Sequence, residues 1–148
     1  MGFKEGLLAA VVIFFAMNMG ASSIAPAFSA VYGGRQIKKK TASILITVFV
    51  VLGALTLGRG VAKTLGQGIL PKEFLNFDTA LVILSSATLS LFLANILGIP
   101  ESTSMVTIGS IVGTALYFGH IQSKIFLWLI PLWIGLPALS FILTFFLY

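Results

Sequence analysis

The stretch TALVILSSATLSLFLANILGIPESTSMVTIGSIVGTALYFG, residues 79–119, decides how this chain folds. It contains two segments free of charged side chains, Thr79 to Leu97 and Thr103 to Gly119, joined by Gly98-Ile99-Pro100-Glu101-Ser102. A helix needs about 20 apolar residues to cross a hydrocarbon core about 30 Å thick. The first segment comes close to that length and the second is marginal. Pro100 cannot continue a helix and disfavours helical backbone before it, so the chain must break between the two segments. Either both segments cross a membrane, or together they form a re-entrant hairpin with its tip at Pro100.

The rest of the chain supports a bilayer as solvent. Of 148 residues, 58% are hydrophobic and 9% charged, and the mean hydropathy is +1.09, more apolar surface than one soluble core of this size can hide. Gly6 to Val31 and Ile125 to Tyr148 are also free of charge, and Thr41 to Gly58 is followed by Arg59 and Lys63. These segments predict helices over 6–31, 41–65, 79–97, 103–119 and 125–148, one transmembrane domain spanning 1–148. The fold class is all-α integral membrane, with three to five helical spans. The first apolar stretch runs past Asn18 into Ser22, Ser23 and Pro26 without a small-residue cleavage site, so it reads as mature protein rather than a signal peptide. Its polar second half predicts a broken helix. Pro131 and Pro137 predict kinks in the last helix, which neighbouring helices would have to support.

Enzymatic chemistry is not expected. There is no cysteine, and His120 stands alone in a short loop with only four acidic residues scattered elsewhere, too few for a metal site or a catalytic triad. No cofactor, metal or nucleic acid is expected. The basic turn Arg35-Gln36-Ile37-Lys38-Lys39-Lys40 places that loop in the cytoplasm of a multi-pass cell-membrane protein. Lys4, Lys72 and Lys124, with Arg59 and Lys63 near them, fall on the other side and weaken the bias. Arg59 and Lys63, one turn apart, read as snorkelling to the interface.

Two polar islands interrupt the oily sequence: Asn18-Met19-Gly20-Ala21-Ser22-Ser23 and Pro100-Glu101-Ser102-Thr103-Ser104. A desolvated oxyanion needs donors, which hydroxyls, the Asn amide and free N–H groups at a helix start supply. Ser102 or Thr103 is the expected N-cap of a half-helix whose positive dipole end would face an anion. The amide and hydroxyls of the two islands, Asn18, Ser22, Ser102, Thr103 and Ser104 with Ser23 adjacent, together define the candidate anion-binding site. Glu101, an ionisable group beside an island, is a candidate carrier of a coupling proton; as a solvated loop residue it would carry nothing. The competing reading makes both islands packing devices, since Ser and Thr often bond to their own helix. Gly109 and Gly113 form a small-xxx-small pair that reads as scaffold.

With these residues in view, the chain resembles the inorganic phosphate transporter family, and within it the bacterial sulfate permeases. Ala16 to Ser22 stands where the family shows Gly-Ala-Asn-Asp-x-Ala-Asn. Gly98-Ile99-Pro100-Glu101-Ser102-Thr103-Ser104 is similar to its Gly-Leu-Pro-x-Ser-Thr/Ser-Thr/Ser, and Gly109-Ser110-Ile111-Val112-Gly113 to its Gly-x-Ile-Ile-Gly. Val61-Ala62-Lys63-Thr64-Leu65-Gly66-Gln67-Gly68 resembles a recurrent Val-Ala-Lys-Thr-Ile-Gly-x-Gly. Met19 departs from the signature aspartate, Ser22 from its second asparagine, and Met105 from a histidine frequent in phosphate carriers. Loss of the aspartate removes a sodium ligand and a negative charge beside the anion. Sulfate, doubly ionised at neutral pH, suits such a site better than hydrogen phosphate.

The resemblance implies secondary transport of an inorganic oxyanion, sulfate favoured, by proton-coupled symport, with sodium as the alternative coupling ion. Phosphate or another oxyanion is the second candidate substrate, and a non-transporting helical subunit that stabilises a partner is the reading from another class. It also implies one repeat of an inverted-repeat transporter. Both three and five crossings are odd, and an odd unit puts its termini on opposite sides, so a following copy would be inverted. If only the Thr103 segment were re-entrant, the count would be even and that relation would fail. The missing repeat is expected from another chain, from a separately expressed second half, or from an antiparallel homodimer.

Overall fold

A computed structural model describes the backbone of residues 2–147 and the side chains of all of these but 24, 25, 67 and 123. Among the described residues the secondary structure is helical: α1 (Phe3–Gly33), α2 (Lys39–Thr56), α3 (Gly58–Ile69), α4 (Phe77–Leu97), α5 (Thr103–Tyr117) and α6 (Phe126–Leu147). Two short 3-10 turns, Lys72–Phe74 and Ser123–Ile125, precede α4 and α6. Among these helices α1, α2, α4 and α6 are long and apolar enough to cross a membrane, whereas α5, with 15 residues, is shorter. The predicted end of the last helix at Tyr148 lies outside the described residues.

Two expectations are corrected. The first helix is not broken: α1 runs continuously for 31 residues with Pro26 inside it. Its polar side chains satisfy themselves on the helix, Asn18 Nδ2 donating to the Phe14 carbonyl at 2.8 Å and Ser22 Oγ to the Asn18 and Met19 carbonyls at 3.1 Å each. Such bonds remove any need to leave helical geometry. The helix expected over 41–65 is instead two, α2 and α3, separated at Leu57. Gly58 and Gly60 follow that residue, and two glycines so close lower the helical preference enough for tertiary packing to turn the chain. Pro131 and Pro137 lie within a continuous α6, none of whose residues is fully buried, though Phe126, Leu129 and Trp133 pack against the core on either side of Pro131.

Three contacts set the arrangement. Lys4 Nζ approaches Asp78 Oδ1 at 3.5 Å, the Phe14 and Phe92 rings lie 5.2 Å apart, and Asn95 Nδ2 reaches Asn18 Oδ1 at 3.1 Å. Residue numbers rise together along both helices, so α1 and α4 are packed parallel. The chain between them, α2 and α3 together, makes one return. Both ends of the Lys4–Asp78 pair are exposed, so it marks the register but contributes little stability.

Gly98 closes α4 in the left-handed region at φ 66°, with the Ile99 N–H bonded to the Ala94 carbonyl at 2.9 Å, and α5 runs back along α4. The core lies where α5 ends beside the α3–α4 connection. Ile69 and Leu70 are fully buried there with Ile83, Ile108, Ile111 and Ala115, and Ile125, Phe126, Leu129 and Trp133 of the α6 approach pack around them. Gly68 lies against this packing, where a Cβ would stand 2.6 Å from Ile125 Cδ1 and move the end of that side chain aside. Phe74 stacks on Phe118 at 4.7 Å and on His120 at 5.1 Å, which gives His120 a packing role.

Candidate anion site

The α4–α5 tip ends inside the length of α1. Asp78 is level with Lys4 and Asn95 with Asn18, so α4 ends at Gly98 about level with the first island. From Ser23, α1 continues to Gly33, about 15 Å at a rise of 1.5 Å per residue. The two polar islands are thus at one level of the helix bundle, with α1 touching both α4 and α5.

In the first island Asn18 is buried, at 6% exposure, on a helix most of whose residues are exposed. Ser22 is half-buried and Ser23 exposed. Asn18 gives one amide hydrogen to Phe14, which leaves one available. The Ser22 hydroxyl gives its only hydrogen to its own helix, so in this arrangement it presents lone pairs rather than a donor.

In the second island Ser102 is the N-cap of α5, its Oγ accepting from the Met105 N–H at 3.4 Å, as the sequence predicts. Its own hydroxyl hydrogen remains free to donate. Thr103 is half-buried, and Ser102 and Ser104 are exposed. The first turn of α5 adds its N–H groups and the positive end of the helix dipole. The second island therefore holds most of the donors, and the first contributes the Asn18 amide.

Sequence reading missed Asn95. It lies one turn before Gly98, and its Nδ2 reaches Asn18 Oδ1 at 3.1 Å and the Asn18 carbonyl at 3.3 Å. An amide in the oily run Leu91 to Leu97 was a visible signal, but its partner lies 77 residues away.

Along the hairpin runs an open groove of about 520 Å³, lined among others by Ser86, Ser90, Glu101, Ser110 and Thr114. Gly109 and Gly113 also line it, and a Cβ at either would meet nothing within 4 Å, so these small residues do not serve packing inside this chain. Glu101 is half-buried, and its Oε2 is buried without a hydrogen-bond partner. Among the described residues no cluster of His, Asp or Glu could hold a metal ion. Arg59 and Lys63 are exposed on α3, away from both islands in the chain order and on a separate helix.

Comparison with known proteins shows the family to which the chain belongs. The Phosphate transporter family matches residues 19–148. A sulfate permease of Bacillus subtilis, CysP, is 42% identical over 142 residues, covering 94% of this chain and 40% of that protein. A putative phosphate permease of Mycobacterium bovis is 35% identical over 127 residues, covering 80% of this chain and 23% of its own length. The chloroplastic inorganic phosphate transporter 2-1 of Arabidopsis thaliana is 29% identical over 161 residues, covering the whole chain and 27% of the relative. The chain thus spans well under half the length of these relatives. No solved structure matches it.

Proposed function

Because the chain belongs to the phosphate transporter family, we propose that it is one half of a secondary carrier for a tetrahedral inorganic oxyanion, with sulfate as the favoured substrate and protons as the coupling ion. Family membership sets it among transporters rather than enzymes. The observation that supports the reading is that the Asn18–Asn95 amide contact ties α1 to α4 one turn before the hairpin tip, so that the two islands lie near one level, with donors and no carboxylate in the first island. An anion entering between them would meet the Asn18 amide, the Ser102, Thr103 and Ser104 hydroxyls and the first N–H groups of α5. Ser22 and Ser23 flank the path.

Sulfate is favoured on two grounds. The 42% identical relative is named a sulfate permease, and this chain has Met19 where a carboxylate would repel a dianion. Glu101 is the candidate proton carrier, since its unpartnered Oε2 lies beside the same hairpin tip. Sodium is the alternative coupling ion. The hairpin tip is read as re-entrant, so that the anion site lies at membrane depth, and the Arg35 to Lys40 turn as cytoplasmic. A second repeat, from another chain or an inverted copy, completes the site. Phosphate is the second reading, supported by relatives named putative phosphate permeases.

Uptake of labelled sulfate into proteoliposomes tests the proposal. Asn18→Ala and Ser102→Ala are each expected to lower uptake about tenfold, the loss of one hydrogen bond to a charged ligand. Unchanged uptake in both variants would remove the site, and uptake of phosphate unaffected by excess sulfate would exchange the substrate.

A further inference from the structure

The turn between α1 and α2 concentrates charge that the chain itself leaves unanswered. Arg35, Lys38, Lys39 and Lys40 are all exposed, and among the described residues none of them takes part in an ion pair. The carboxylates Glu5, Glu73, Asp78 and Glu101 belong neither to this turn nor to the end of α1 nor to α2. The start of α2 adds to the imbalance. Its N-cap is Lys38, without a side-chain cap bond, and no acid stands in its first turn. Lysines at the positive end of a helix dipole are unfavourable, and an anion bound among them would offset their charge.

Two cavities give the missing anion a shape. The first, of about 550 Å³, lies at the turn itself and is lined by Tyr32, Gly33, Arg35, Gln36, Ile37 and Lys38. The second, of about 290 Å³, begins two residues further on at Lys40 and follows one face of α2 past Ser43, Ile44, Thr47 and Val48. The Ser43 and Thr47 hydroxyls donate to the Lys39 and Ser43 carbonyls at 3.1 and 2.8 Å, so their hydrogens turn into the helix. Exposed Ile44 and Val48 then leave this groove mainly hydrocarbon to offer. An inorganic anion would use the cations and ignore the groove. An amphiphile with an anionic head uses both, and α2 is long and apolar enough to hold the groove at acyl-chain depth.

We infer that the α1–α2 turn and the adjoining face of α2 bind an anionic phospholipid, its phosphate among Arg35, Lys38, Lys39 and Lys40 and one acyl chain along Ile44 and Val48. None of these residues belongs to the oxyanion site, so the inference stands apart from the transport reading. Basic residues in such a turn also set the orientation of insertion. The test is therefore made in detergent micelles, which have no two sides.

The chain, in the oligomeric form in which it purifies, is titrated with phosphatidylglycerol or with phosphatidylcholine of the same acyl chains, and bound lipid is counted by native mass spectrometry. Phosphatidylglycerol is expected to bind about tenfold more tightly, as several cations near one phosphate require. Arg35→Gly removes a charge where φ is 55°, a backbone that glycine adopts freely, so the turn itself is kept. That variant and Lys40→Gln should each lower phosphatidylglycerol affinity about fivefold and leave phosphatidylcholine unchanged. Ile44→Ser, in the groove, should weaken both lipids alike, and Lys63→Gln on α3 should weaken neither. Equal affinity for the two lipids in the unsubstituted protein would overturn the inference, as would equal losses for both in the charge variants. Displacement of phosphatidylglycerol by an equal concentration of inorganic phosphate would show a site for free anions and overturn the lipid assignment.

Discussion

Glu101 poses the sharpest question at the scale of single residues. Its carboxyl sits between Pro100 and the N-cap Ser102, half-buried, with Oε2 unpartnered beside a groove lined by hydroxyls. A carboxylate oxygen in that position is satisfied by a proton, a cation, water from the open groove or a donor from another subunit. The isosteric Glu101→Gln separates these. If Glu101 carries the coupling proton, the variant should bind sulfate at equilibrium as before, and an inward proton gradient should no longer accelerate its uptake. Stimulation equal to that of the unsubstituted protein would show that the proton travels elsewhere. The break before the second island was legible because Gly98 and Pro100 stand two residues apart there, whereas the hydroxyls and Pro26 of α1 sit within a continuous helix. The role of Asn95 was not, because one asparagine in a helix shows only that a partner is needed, and the partner is set by how α1 and α4 pack.

Among the elements, the helices themselves were readable from the absence of charge, and α4 and α5 fall within two residues of their expected limits. The errors have a common origin. Polar residues suggested a break in α1, but Asn18 and Ser22 bond to carbonyls of the preceding turn and the helix continues. Between α2 and α3 the turn at Leu57 falls between Thr56 and Gly58, close to Arg59, and the bend belongs to the glycines and to the packing of Ile69 and Leu70 in the core. Gly98 is the opposite case, where one residue decides an element's end. At φ 66° a side chain is strained by about 1 kcal/mol, so Gly98→Ala should lower stability by about that much in a thermal melt in detergent. Because the cap positions the second island, the variant should also weaken sulfate binding. A melt and an affinity both unchanged would mean that the tip does not depend on this cap.

Taken whole, the molecule has two kinds of exposed surface. The outer faces of α2 and α6 are apolar, as lipid requires: no residue of α6 is buried, and Trp128, Phe141 and Phe145 are all largely exposed. The α4–α5 groove differs, since Ser86, Ser90, Ser110 and Thr114 line it with Glu101 at the tip and nothing packs over Gly109 or Gly113. Three of those hydroxyls bond to their own helices, so their hydrogen bonds do not require a partner, but small residues that leave a backbone accessible favour close helix approach in lipid. The chain covers 40% of the sulfate permease it matches, which leaves room in that protein for a further unit of comparable size. These observations support a complementary helical unit over the groove, whether a second chain or an inverted copy. Native mass measurement in mild detergent should then find more than one chain per particle. With Ser86→Cys or Gly113→Cys as the sole cysteine, a copy-to-copy disulfide is expected if the partner is an identical inverted chain, and only a link to a second protein if it is not. A monomer whose introduced cysteine reacts freely with a lipid-soluble maleimide would show that the groove faces lipid, and a half-site would be all that this chain can build.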